Sequence, residues 1–151
     1  MLEEAGEQKV VIWANYRFDI KKILKTVREK YGFKSIKAFF GDTKDQERQD
    51  ILTEFQDPSS ELRYIIANPR TAGYGLTLTL SHTVVYFSNS YDLEIRMQSE
   101  ERVHRIGQTK KVTYIDLLTP KTVDEKIIKS LRKKINISSE VMGEELKNWI
   151  V

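Results

Sequence analysis

Residues 98–108, "QSEERVHRIGQ", bring two guanidinium groups and two side-chain amides into one short segment. Gln98, Arg102 and Arg105 are spaced by four and three, so on a helix of roughly 3.6 residues per turn they share a single stripe. A guanidinium stays charged at every physiological pH, and its fork of donors matches phosphate oxygens; a stripe of this kind can hold an anion. The competing reading is a solvated helix in which Glu101 pairs with Arg105 at i,i+4, an exposed contact worth roughly 0–1 kcal/mol. Leu93, Ile95, Met97 and Val103 scatter around the circumference, so core packing explains the helix poorly. Gly107 is expected to stop it, because glycine accepts the positive φ of a C-terminal cap.

Other constellations are weaker. Gly73-Tyr74-Gly75 has the opening of a dinucleotide fingerprint, but Leu78 stands where the third glycine belongs, and no Gly-Lys-Thr/Ser phosphate loop occurs in the sequence. A Rossmann-type cofactor site is therefore not expected. His82 and His104 are the only histidines and cysteine is absent, so no metal site is expected. Asp124-Glu125 follows Thr122 at a helix start and reads as a capping box, as do Thr43 and Gln46.

Five short runs must position these residues: "VVIWA" (10–14), "IKAFF" (36–40), "YIIA" (64–67), "TVVYF" (83–87) and "VTYIDLL" (112–118). They are rich in β-branched and aromatic residues and read as strands buried on both faces. Helical periodicity lies between and after them: Ile20, Ile23, Leu24, Val27 and Tyr31; Ile51, Leu52 and Phe55; Val123, Ile127, Ile128, Leu131 and Ile135. The alternation predicts a three-layer α/β domain with a mostly parallel sheet of about five to six strands and helices on both faces. Residues 1–8 read as a flexible tail, 9–135 as the domain, and 136–151 as a helical extension whose Met142, Leu146, Trp149 and Ile150 need a surface.

With 151 residues the chain can hold one real core. The lack of cysteine excludes a disulfide framework and makes the cytoplasm the default compartment; no apolar run is long enough to span a bilayer. A net charge of +3 permits a polyanionic partner without requiring one.

The motifs together resemble the C-terminal lobe of the Swi/Snf-type DNA-dependent ATPases, a branch of the superfamily-two helicases. "KVVIWANY" (9–16) is similar to motif four, "GDTKDQERQDILTEFQ" (41–56) to the Gly-x-Thr, Arg, Phe block after it, "NPRTAGYGLTL" (68–78) to motif five and "QSEERVHRIGQ" to motif six. The resemblance implies a RecA-like lobe whose Arg102 and Arg105 act as arginine fingers on ATP held by the other lobe, with Gln98 orienting them. It places Gly73, Gly75 and Tyr91 at the interlobe, nucleotide side, and Thr71 and Arg70 on DNA phosphate; Asn15 and Tyr16, past the first strand, are further DNA candidates. ATP and Mg2+ would be held mainly by an N-terminal lobe, in cis or in trans, since this sequence carries neither phosphate loop nor Walker-type Asp-Glu; alone it is expected to be inactive. The implied partners are that lobe and the backbone of duplex DNA, with no membrane. Ala72 in place of a glycine, and Tyr91 in place of tryptophan with no Asn-Pro after it, depart from the family pattern and point to a compact prokaryotic or viral type, nucleoid-associated or in a host cytoplasm. A non-catalytic nucleic-acid or protein-binding module derived from such a lobe is the alternative.

Overall fold

The computed structural model describes residues 2–142, with the side chains of 72–74 and 138–142 left aside. Leu146, Trp149 and Ile150 of the expected extension lie outside the described residues. Five strands form one parallel sheet: β1 (Val10–Trp13), β2 (Ile36–Phe39), β3 (Tyr64–Ala67), β4 (Thr83–Tyr86) and β5 (Thr113–Asp116), in the order β2-β3-β1-β4-β5. The five apolar runs all became strands. β1 and β3, both central, are buried throughout, whereas β2 and β5 at the edges are partly open, as expected where only one neighbour covers them.

Alternate residues separate the two faces. Val10, Ile12, Tyr64, Ile66 and Val85 join Ile20 and Val27 of α1 (Arg17–Tyr31) in one core. Val11, Trp13, Phe39, Ile65 and Tyr86 join Ile51, Leu52 and Phe55 of α2 (Asp45–Phe55) in the other, together with Leu76, Leu78 and Val103. That second face therefore packs the motif-bearing segments directly on the sheet. The remaining helices are α3 (Leu93–Glu101) and α4 (Val123–Met142); Ile127, Ile128 and Leu131 of α4 pack on Leu93 of α3. Residues 2–7 lie in turns, with Leu2 and Ala5 against the α1-side core.

The Gly-x-Thr, Arg, Phe block has a structural cause in this fold. Thr43 Oγ1 accepts from the Phe40 amide at 2.8 Å, Arg48 Nη2 donates to the Thr43 carbonyl at 3.0 Å, and Phe55 is fully buried. Because its hydroxyl is turned back to the strand, Thr43 does not form the expected capping box; Lys44 is the N-cap residue, without a side-chain bond. At α4 the box is half made: Thr122 Oγ1 accepts from the Asp124 amide at 3.3 Å, and Asp124 rather than Glu125 reaches back, to the Thr119 amide at 3.1 Å.

Candidate phosphate-facing arginine site

Helix α3 begins at a true cap, with the Asp92 carboxylate accepting from the Ile95 amide at 3.2 Å. It ends at Glu101, so Arg102 is its C-cap and Arg105 lies in the turn beyond; the expectation that one helix carries both arginines is corrected. The cause is tertiary. The Leu78 amide donates to the Arg102 carbonyl at 3.0 Å, and Val103 is drawn fully into the core. Gln108 then closes the turn by donating its amide to the Thr79, Ser81 and Val103 carbonyls at 3.1, 2.7 and 3.2 Å. Gly107 takes φ 102° there, as its residue type predicted, though six positions past the helix end rather than as its cap.

The two guanidinium groups are held by neutral oxygens. Arg105 is exposed and leans on the motif-five segment, Nη1 lying 3.3 Å from Thr77 Oγ1 and 3.5 Å from the Leu76 carbonyl. Half-buried Arg102 donates Nε to the Gln98 carbonyl at 3.3 Å, while the Gln98 amide itself donates to Glu94 at 3.1 Å. Among the described residues neither arginine has a carboxylate partner, and the Glu101–Arg105 pair of the solvated-helix reading is not formed. Two unneutralised guanidinium groups, one exposed and one half-buried, can each bind phosphate oxygens bidentately.

The other candidates divide by exposure. Arg70 is exposed on the 3-10 segment Pro69–Tyr74, its amide bound to Asn68 Oδ1 at 2.9 Å. Thr71 is only 3% exposed, and its hydroxyl donates to the Asn68 carbonyl at 2.6 Å. Gly73 belongs to the same segment, and Gly75 after it takes φ 72° with open space where a Cβ would point. Asn15 ties three loops at the C-terminal edge of the sheet: its side chain donates to the Ser88 carbonyl at 2.9 Å and its own carbonyl accepts from Asn68 at 2.8 Å. Tyr16 beside it is 64% exposed. Tyr91 is exposed too, and its carbonyl accepts from Lys134 of α4 at 2.5 Å.

Arg96 escaped the sequence reading. Its side chain is 11% exposed and lies with its guanidinium 3.5 Å from the centre of the Tyr86 ring. Nε donates to Glu100 at 2.6 Å, and Nη1 donates to Asn89 Oδ1 at 2.7 Å and to Asp116 at 2.6 Å. Tyr86 Oη and Ser99 Oγ share a hydrogen bond of 2.6 Å beside it. Burial lifts the Glu100 carboxyl above its ordinary 4.5 against the pull of Arg96. Burial also opposes the charge of Arg96, but Tyr86, Asp116 and Glu100 outweigh it and hold the guanidinium firmly protonated. Only the i,i+4 spacing of Arg96 and Glu100 was visible in sequence; Asn89 and Asp116 arrive from other elements.

A five-stranded parallel sheet covered by helices, with unpaired arginines on a turn braced against the loop after β3, defines a RecA-like α/β lobe. The first 107 residues match the model of the helicase conserved C-terminal domain, and the chain belongs to that family, in its Swi/Snf branch. It is 33% identical over 102 residues to the SWI/SNF chromatin-remodeling complex subunit snf22 of Schizosaccharomyces pombe, an alignment covering 68% of this chain and 6% of that protein. With the chromatin-remodeling ATPase INO80 of Eremothecium gossypii it shares 27% identity over 146 residues, 95% of this chain and 10% of the relative. The crystal structure of the C-terminal part of the Fun30 ATPase domain superposes with a TM-score of 0.73 at 25% identity, over 86% of this chain and 40% of that one. The chain thus spans a small fraction of the length of its curated relatives. Among the described residues no helix is long and apolar enough to cross a membrane.

Proposed function

We propose that the chain is the second motor lobe of an ATP-dependent DNA translocase, delivering Arg102 and Arg105 to the phosphates of ATP held on an N-terminal lobe. The observation that carries this reading is the pair of unneutralised guanidinium groups on a turn fixed by Gln108 and Leu78. Phosphoryl transfer spreads negative charge over the transferred and leaving oxygens, and a preplaced cation there supplies roughly 10³–10⁵ in rate. The charges and backbone donors here suit phosphate oxygens rather than Mg2+: the site's side chains are cationic or neutral, and no group of three or more His, Asp or Glu among the described residues is arranged for a metal. In this reading Mg2+ is held mainly by the partner lobe.

DNA contact is proposed at the C-terminal edge of the sheet, where open α/β sheets form their binding crevice. Arg70 and Tyr16 are free to reach a backbone, while Asn15 and Thr71, whose amide and hydroxyl are both bonded to the Asn68 carbonyl, shape the loops that carry them. Gln98 and Tyr91 sit on the interlobe side. Titrating the affinity of the 151-residue chain for duplex DNA against salt tests this part: contact with several phosphates gives a steep fall of log affinity with log salt, and a flat response refutes it.

A further inference from the structure

We propose that Arg96 is a positioning residue for hydrolysis, fixing the rotation of α3 and so the direction in which the turn after it presents Arg102 and Arg105. This rests on the arginine reading above.

A helix on a sheet is ordinarily set by an apolar stripe, and α3 lacks one: Leu93, Ile95 and Met97 are spaced by two, spread around its circumference and only partly buried. The residues it does bury are Ser99 and Glu100. What faces the core in place of a stripe is Arg96 with Glu100 one turn on, and the fork of Arg96 is spent on three different elements. It reaches Glu100 within α3, Asn89 in the loop after β4 and Asp116 at the end of β5, at 2.6, 2.7 and 2.6 Å. Nη2 adds a second bond to Asp116 at 3.3 Å, and Asn89 also donates to Asp116, at 2.8 Å. The Tyr86 ring, one strand over, fixes the guanidinium plane from below. A rotation of α3 of even a fraction of a turn would break these bonds together, whereas sliding apolar contacts would yield gradually. Arg102 begins one residue after the helix whose rotation is so defined. With its fork committed to these partners, Arg96 acts through Arg102 and Arg105.

The test is steady-state hydrolysis in the full-length, two-lobe enzyme, comparing Arg96→Lys, Asp116→Asn and their double variant, with a thermal unfolding midpoint measured for each. Lysine keeps the charge but cannot serve three acceptors in one plane. The expected result is a fall of at least about tenfold in kcat with KM for ATP within about twofold for both single variants, since the arginines act in the transition state. The double variant is expected to lose no more than the worse single one, the signature of a shared path. Unchanged kcat in a folded Arg96→Lys or Asp116→Asn overturns the proposal, as does a kcat loss that disappears when each variant is assayed at the same distance below its own midpoint, or fully multiplicative losses in the double. Arg102→Ala and Arg105→Ala run alongside separate the two failures: if these do not slow hydrolysis, the arginine reading itself falls; if they do while Arg96→Lys does not, only this inference falls.

Discussion

Arg105 leans on a hydroxyl and a carbonyl, and that is a weak tether for a full charge. An exposed arginine without a carboxylate partner contributes under about 1 kcal/mol to folding, so removing it changes function far more than stability. Gly107 is different. At φ 102° an alanine is strained whatever the space around it, and Gly107→Ala is expected to cost roughly 1–2 kcal/mol, read as a lowered midpoint in denaturant unfolding of the chain. Glu100 sets a pH dependence. Its carboxyl titrates higher in the fold than in the unfolded chain, so the folded form holds the proton more tightly, and its contribution is most favourable below its ordinary 4.5 and is lost as pH rises through the raised value. Measured against Glu100→Gln, wild-type stability is expected to decline as pH rises above the ordinary 4.5 of Glu100; a difference that grows in the opposite direction would show that the Arg96 pair outweighs burial.

At the scale of elements, the Asp92 cap is the local device that starts α3, and Asp92→Ala is expected to cost about 1 kcal/mol by thermal unfolding, with the Ile95 amide left unpaired. The strands were legible in sequence because a parallel sheet buried on both faces demands unbroken β-branched runs, and "VVIWA" and "YIIA" supply them. Helices α1, α2 and α4 were legible through their apolar periodicity. What local pattern could not show was the end of α3. Residues 98–108 keep helical spacing, yet the bonds that end the helix come from Leu78 and from Thr79 and Ser81, the last two 29 and 27 positions from Gln108 in sequence. The same holds for Thr43, whose hydroxyl serves the strand end in place of a cap, and for Arg96, whose partners no periodicity links to it. The motif types nonetheless pointed to segments that pack together: motif five and motif six meet across the Leu78–Arg102 and Thr77–Arg105 bonds.

For the whole molecule, two cores lie on the two faces of one sheet, the chain belongs to the helicase C-terminal family, and in the proposed function it is one lobe of two. The isolated 151-residue chain is expected to unfold cooperatively yet to hydrolyse no ATP with or without DNA; turnover at motor rates, on the order of 1–100 per second, would show that the chain is catalytically self-sufficient. The most direct measurement is DNA-stimulated hydrolysis by the full-length enzyme carrying Arg102→Ala or Arg105→Ala. A loss of at least about a hundredfold in kcat, with the unfolding midpoint shifted by no more than a few degrees, is the outcome expected of cations that act on the transferred phosphate. A loss of about twofold or less in both variants would contradict it and return the turn to an ordinary solvated surface.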